Sequence, residues 1–279
     1  MRIRVLSDLH LEERKEIPKD ILISDEILIL AGDIGDPFSE IYERFIKLVS
    51  EKYEKVFVVA GNHEYYNCVD DPIAESKDSI SAFSISPELQ YKDQLTKRNK
   101  IYSYSQTSEQ IAKICEKYGC VFLDRSVYEY KGVKFIGCLF WSVIPDEYQK
   151  LVDDHNIFKT IFYKNSYMSF HEYNRDLARP DREWLEKTIR ETEGDKVVIT
   201  HFPPSKVMMN DNFYNSHKRF LYYSDAEDLL MDSVKLWVSG HTHFPRKIKL
   251  HNTTLFSNAY GGPFEDTWKF YNSSEGFIL

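Results

Sequence analysis

Short apolar runs that stop at a polar or small residue recur along the chain, at 3–6, 27–31, 56–60, 197–200 and 236–239. Each is aliphatic or β-branched without strict alternation, the pattern of a strand covered on both faces. Between them, 38–49 carries apolar residues at the three-and-four spacing of an amphipathic helix. The segments 106–118 and 181–191 read the same way, the second with Pro180 near its start. Residues 127–130 and 133–141 flank Lys131-Gly132 and predict a hairpin, while 246–250, 254–257 and 276–279 predict further short strands. The alternation of types predicts a layered α/β domain spanning 1–279, with mixed sheets flanked by helices. Two stretches fit this scheme poorly: 67–104 is polar and serine-rich, and 145–179 is crowded with aromatics and charges. Both follow predicted strand ends, where cleft-covering insertions commonly sit.

Composition changes this picture little. The 279 residues are 42% hydrophobic and 29% charged, ordinary for a globular chain. A formal net charge of −8 without a long basic run argues against a sequence-blind nucleic-acid coat, which draws its affinity from clustered Lys and Arg. A small phosphorylated substrate stays open, since a local lysine cluster or bound metals can supply a positive field that the whole chain lacks. The four cysteines, Cys68, Cys115, Cys120 and Cys138, form no C-x-x-C pair and read as free thiols. With no leader-like segment before the first strand and no apolar stretch near the ~20 residues of a membrane span, the expected setting is cytoplasmic.

The residues that follow each apolar run carry the chemistry. The first runs into Ser7-Asp8-Leu9-His10, the second into Gly32-Asp33-Ile34-Gly35-Asp36 and the third into Gly61-Asn62-His63-Glu64. Later runs end in Thr200-His201 and Ser239-Gly240-His241-Thr242-His243. In open α/β sheets, ligands bind outside the carboxyl ends of the strands. Singly, each piece has an ordinary reading as a turn or a solvated polar pair. Five strand ends delivering Asp, His and Asn to one rim make a metal-ligand list: Asp8, His10, Asp33, Asn62, His201, His241 and His243. Carboxylate, amide oxygen and imidazole together suit Mn, Fe or Zn better than the all-oxygen shells of Ca or Mg. That is too many donors for one tetrahedral zinc and suits two ions sharing a carboxylate. The Asp-x-His and His-x-His spacings predict paired side chains on one side of an extended backbone.

In this order the motifs resemble the calcineurin-like metallophosphoesterase superfamily, over residues 8–243. The resemblance implies a four-layer α/β/β/α sandwich. It implies one metal held by Asp8, His10 and His243, another held by Asn62, His201 and His241, and Asp33 bridging. His63 is similar to the family's histidine that faces the scissile phosphate, and Asp36 to a second acid that orients a histidine. Protein Ser/Thr phosphatases of the superfamily carry an arginine after the Gly-Asp block and another before Gly-Asn-His-Glu. Here Pro37-Phe38 and Val59-Ala60 occupy those places. The chain is more similar to microbial and fungal members with Asp-Leu-His-Leu-Glu, Gly-Asn-His-Glu-Tyr-Tyr and Gly-Cys-x-x-Trp-Ser segments, here at 8–12, 61–66 and 137–142.

The mechanism implied is hydrolysis of a phosphomonoester or phosphodiester, in which two ions ~3.5–4 Å apart hold a shared hydroxide and clamp the phosphate. His63 then donates to the leaving oxygen. A nucleotide is among the expected substrates, with Tyr65, Tyr66 or Trp141 offering rings to a base, against the plainer reading that these tyrosines pack the loop. His171 and the 210–219 segment, with Lys218 and Arg219, are further candidates for the cleft, although surface histidine and solvated loop are their plainer readings. A nuclease and a non-catalytic interaction module are the alternatives; the first asks for a basic groove and the second for lost catalytic residues.

Overall fold

The computed structural model describes residues 1–19, 21, 23–67, 100–153, 155–209, 214, 216 and 218–279. Cys68, most of the 67–104 stretch and much of 210–219 lie outside the described residues.

The first apolar runs become parallel strands β1 (Arg2–Leu6), β2 (Asp25–Ala31) and β3 (Tyr53–Val59). The short β4 (Val121–Phe122) extends them in parallel. The hairpin is β5 (Ser126–Tyr130) and β6 (Val133–Gly137). A small ribbon, β7 (Phe162–Tyr163) and β8 (Ser166–Tyr167), lies inside the 145–179 segment. The remaining strands are β9 (Lys196–Ile199), β10 (Val234–Val238), β11 (Arg246–Leu250), β12 (Thr253–Ser257) and β13 (Phe277–Ile278). One sheet runs β13-β1-β2-β3-β4, with β13 antiparallel at its edge. The other runs β11-β12-β10-β9-β6-β5, parallel at its centre and antiparallel at both edges. Both are therefore mixed.

Side-chain alternation sorts the strands into layers. Ile3, Val5, Ile27, Ile29, Phe57 and Val59 share one apolar cluster with Phe135, Val197, Ile199, Leu236, Val238 and Phe256, so the sheets pack face to face. The opposite face of the first sheet, with Leu28, Leu30 and Val58, meets helices α1 (Glu40–Ser50) and α2 (Tyr104–Lys117). Ser39 caps α1 by accepting from Tyr42 N–H, and a Ser103–Gln106 capping box starts α2. The outer face of the second sheet, with Ile136, Val198 and Trp237, meets Leu185 and Ile189 of α3 (Arg179–Glu191). The layers are α/β/β/α, as the resemblance implies.

The hairpin is shorter than the sequence predicts. β6 stops at Gly137, and Phe140 takes a left-handed backbone (φ 65°). The buried Asp181 carboxylate, not a neighbouring strand, accepts the N–H groups of Phe140 (2.8 Å) and Trp141 (3.1 Å). Trp141 is thereby turned inward, 1% exposed, with ring centroids of Phe202 and Tyr173 at 5.4 and 5.5 Å. It fills the core and offers no face to a ligand. Tyr65 stacks on Tyr104 at 4.0 Å and packs the loop, while Tyr66, also buried, lies with its ring 4.7 Å from that of His63. Cys115, Cys120 and Cys138 are free and buried. Among the described residues, no helix is long and apolar enough to cross a membrane.

Candidate metal centre

The carboxyl ends of β1, β2, β3, β9 and β10 converge, and the loops leaving them cross-link one another. Asp8 Oδ1 accepts the amide of His241 (2.8 Å), and Asp33 Oδ1 accepts that of His63 (2.8 Å). The backbones of Asp8, His10, Asp33, His241 and His243 are left-handed, with φ between 47° and 69°. The expected extended Asp-x-His and His-x-His ladders are therefore not what pairs these side chains; tight bends beyond the strand ends do. Glycine makes the approach possible. A Cβ on Gly61 would lie 2.2 Å from Asp33 Oδ1, and one on Gly32, itself left-handed at φ 84°, would lie 2.5 Å from His201 Nδ1.

Among the described residues the expected ligands form two donor groups, and a third group, His10, Glu12 and His63, adjoins the first. Asp8, His10, Asp33 and His243 bring ligand atoms within 4.8 Å of one another, and so do Asp33, His201 and His241. Asp33 belongs to both. Asn62 joins the second group, with Oδ1 3.1 Å from His201 Nε2. Its amide nitrogen donates to Tyr66 Oη (2.9 Å), which turns the oxygen toward the site.

Hydrogen bonds at the far side of each ring fix which nitrogen faces inward. His201 Nδ1 meets Ala31 O at 2.8 Å, and His241 Nε2 meets Leu221 O at 2.7 Å. A ring nitrogen facing a carbonyl must donate, so His201 offers Nε2 and His241 offers Nδ1. His10 Nδ1 meets Glu12 Oε1 at 3.1 Å, and His243 Nδ1 meets Glu265 Oε2 at 2.6 Å. The Nε2 atoms of His10 and His243 then confront each other at 3.0 Å. Two lone pairs cannot sit so close unless a proton or a cation lies between them. That confrontation, with the mixed oxygen and nitrogen donors, is the chemistry of a cation site.

The protonation of the protein alone agrees. Burial opposes charge on His10, but the hydrogen bond and charge of Glu12 prevail and raise its pKa from 6.5 to about 10. His201 is likewise pushed up to about 9, burial being outweighed by Asp33. His243 rises through Glu265 against the effect of its burial. Glu12 and Glu265 are each held at about 2 by the histidines they face, again against burial. His241, desolvated and beside His201, is driven well below the usual imidazole range.

Several partners in this set are not apparent from the motifs. Glu12 stands two residues after His10, and its Oε1 also lies 3.4 Å from His63 Nδ1. Asp36, expected to orient a histidine, accepts Phe38 N–H (3.0 Å) in the turn entering α1, and a carboxylate that lies 3.4 Å from His63 Nδ1 is that of Glu12. Glu64, quoted in its motif without a role, gathers the N–H groups of Asp33 (3.0 Å), Ile34 (2.7 Å) and Gly61 (2.7 Å). Burial and the neighbouring Asp33 raise its pKa to about 7. Glu265 comes from the far C-terminal segment. His63 sits over His10, ring centroids 4.5 Å apart and planes at 80°, with its side chain 12% exposed. His171 is exposed. The histidine of the 145–179 segment within electrostatic reach of His63 is His155, whose pKa burial and the charges of Lys218 and His63 push down to about 4.

Comparison with known proteins bears on the fold and the family. The crystal structure of a phosphopantetheinyl hydrolase from Mycobacterium tuberculosis is similar over 96% of this chain and 92% of that one, with a TM-score of 0.60 and 16% identity. An uncharacterized protein, L509, of Acanthamoeba polyphaga mimivirus is 24% identical over 94% of this chain and 91% of its own length. The model of the calcineurin-like phosphoesterase family matches residues 1–245, which include every candidate ligand. The chain belongs to the calcineurin-like phosphoesterase family.

Proposed function

We propose that the chain is a metal-dependent phosphoesterase that hydrolyses a phosphomonoester or phosphodiester of a small molecule, nucleotides included. The observation that carries this is Asp33, one buried carboxylate common to two separate donor groups. A pair of divalent ions, of the Mn, Fe or Zn type, would supply there the Lewis acidity that makes a water nucleophilic and polarises a phosphoryl oxygen. Asp8, His10, Asp33 and His243 would hold one, and Asp33, Asn62, His201 and His241 the other.

The remaining work falls to the protein. Glu12, Glu265, Ala31 O and Leu221 O hold the rings in fixed tautomers, so the donors face inward before a substrate arrives. Glu64 fixes the backbone around Asp33. His63 stands at the partly open edge of the first donor group, in place to give a proton to the departing ester oxygen.

The test is hydrolysis of para-nitrophenyl phosphate and bis-para-nitrophenyl phosphate by metal-stripped protein, with Mn²⁺, Zn²⁺, Fe²⁺ or Mg²⁺ restored singly. Hydrolysis that returns with metal and is lost in Asp33→Asn supports the proposal, and the preferred ester separates monoesterase from diesterase. Failure to turn over either ester, or any aliphatic phosphate ester, with every ion bound would reject it in favour of a binding role.

A further inference from the structure

We infer that Glu12 is a positioning residue that aims His63 at the leaving group, and that the substrate is therefore an ester whose departing alcohol needs a proton, an aliphatic one. The inference rests on the phosphoesterase reading above. One carboxylate oxygen, Glu12 Oε1, lies 3.1 Å from His10 Nδ1 and 3.4 Å from His63 Nδ1. The Glu12 side chain is only 7% exposed, so little water competes for that oxygen. Among the described residues its second oxygen, Oε2, is buried without a hydrogen-bond partner, and Oε1 is the atom that faces both rings. The chain positions it directly: His10 is left-handed (φ 48°), and Leu11–Glu13 form a single 3-10 turn that brings Glu12 back beneath the two imidazoles.

With Nδ1 facing Glu12, Nε2 is the nitrogen that His63 would present to a substrate. The 3.4 Å separation is long for a hydrogen bond, as catalytic contacts often are before substrate binds. In the step proposed, water adds to phosphorus and the bond from phosphorus to the alcohol oxygen breaks. That oxygen keeps the electron pair and takes the Nε2 proton of His63; the proton given up by the attacking water restores the balance. An aryl leaving group such as para-nitrophenolate departs without such help, whereas an aliphatic alkoxide does not. A shared oxygen also ties the aim of His63 to His10, a candidate ligand, so the two rings are oriented together.

Two measurements on Glu12→Gln, His63→Gln and Asp36→Asn test this. In metal-free protein labelled with ¹⁵N-histidine, the His63 Nδ1–H resonance is expected in the wild type and lost in Glu12→Gln. At saturating metal, with ion content measured, Glu12→Gln and His63→Gln are both expected to slow an aliphatic phosphate ester by about 10²-fold, the low end for general acid catalysis, and para-nitrophenyl phosphate by only a few-fold. Equal slowing of both esters by Glu12→Gln would overturn the inference and leave Glu12 as a support of His10 alone. So would loss of the His63 resonance in Asp36→Asn but not in Glu12→Gln. If the wild type hydrolyses neither ester, the phosphoesterase reading fails on its own, and the resonance still decides whether Glu12 holds His63.

Discussion

Replacing Glu265 with glutamine should weaken metal binding at one of the two candidate sites and spare the other. Glu265 Oε2 lies 2.6 Å from His243 Nδ1 and also accepts Gly262 N–H at 3.1 Å, so it orients His243 and leaves Nε2 as the basic nitrogen. Removing a carboxylate partner of a ligating histidine typically costs 10–100-fold in metal affinity, or about 1.4–2.7 kcal/mol. Burial decides where in that range a residue falls. The Glu265 side chain is 38% exposed, so water replaces part of what glutamine loses, and about tenfold is expected. Glu12, only 7% exposed, should fall nearer 100-fold when changed to glutamine. Because His243 belongs to the group with Asp8 and His10, the group of Asn62, His201 and His241 should bind as before. Competition against a fluorescent chelator, titrated through both binding steps, reads the two affinities separately. Equal weakening of both steps would refute the reasoning, as would an unchanged first step or a loss as deep as that of His243→Ala.

Gly61→Ala places a Cβ 2.2 Å from Asp33 Oδ1 and 2.5 Å from Asp33 N, so the shared carboxylate must move. Metal content after desalting should fall beyond the ~100-fold affinity loss of an outer partner, and near-normal content would contradict the shared role of Asp33. Trp141→Ala should cost about 3–5 kcal/mol in urea unfolding, because the ring is core. Trp141→Phe should leave KM unchanged, and a raised KM would restore the ring to the cleft. The metal-free protein should lose stability as pH rises. His10 and His201 have folded pKa values of about 10 and about 9 against an ordinary 6.5. Their contribution is thus complete below 6.5 and disappears as pH climbs through those values. Binding of an ion must displace the same protons, so metal affinity should rise over that window. Thermal unfolding of metal-free protein that is flat between pH 7 and 9.5 would contradict both statements.

How much of this was legible depends on what kind of signal a feature leaves. The strands announce themselves because each is apolar on both faces and stops at a polar residue, and the candidate ligands stand at those stops. The helices show through spacing and caps, as with Ser39 before α1. Trp141 is expected on the hairpin strand because an apolar stretch continues from Val133 past the end of β6. Nothing local reveals that Asp181, some forty residues on, takes the N–H groups of Phe140 and Trp141 and ends the strand. The partners of the ligands have the same difficulty. Glu265 meets His243 across 22 residues by a path no motif prescribes. Glu12 was within reach, since it closes the Asp-Leu-His-Leu-Glu segment two residues beyond His10, but spacing alone does not distinguish it from the neighbouring Glu13.

The bends at the ligands were hidden for a deeper reason. Asp-x-His suits a strand in which alternate side chains share a face, yet Asp8, His10, Asp33, His241 and His243 all sit in the left-handed region. Each such residue other than glycine costs on the order of 1 kcal/mol or more, and it persists only where surrounding bonds over-determine it. Those bonds run between motifs rather than within them. Asp8 N donates to Gly32 O and His10 N to Asp33 O, both at 3.0 Å, and His241 N donates to Asp8 Oδ1 at 2.8 Å. The loop after β1 is thus held by the loop after β2, and it holds in turn the loop after β10. A single motif cannot keep its own ligands in place. The loop after β3 joins them, His63 N donating to Asp33 Oδ1 at 2.8 Å. The geometry belongs to the four loops together, so Gly61, which has no side chain to offer, should matter to metal binding as much as a candidate ligand does.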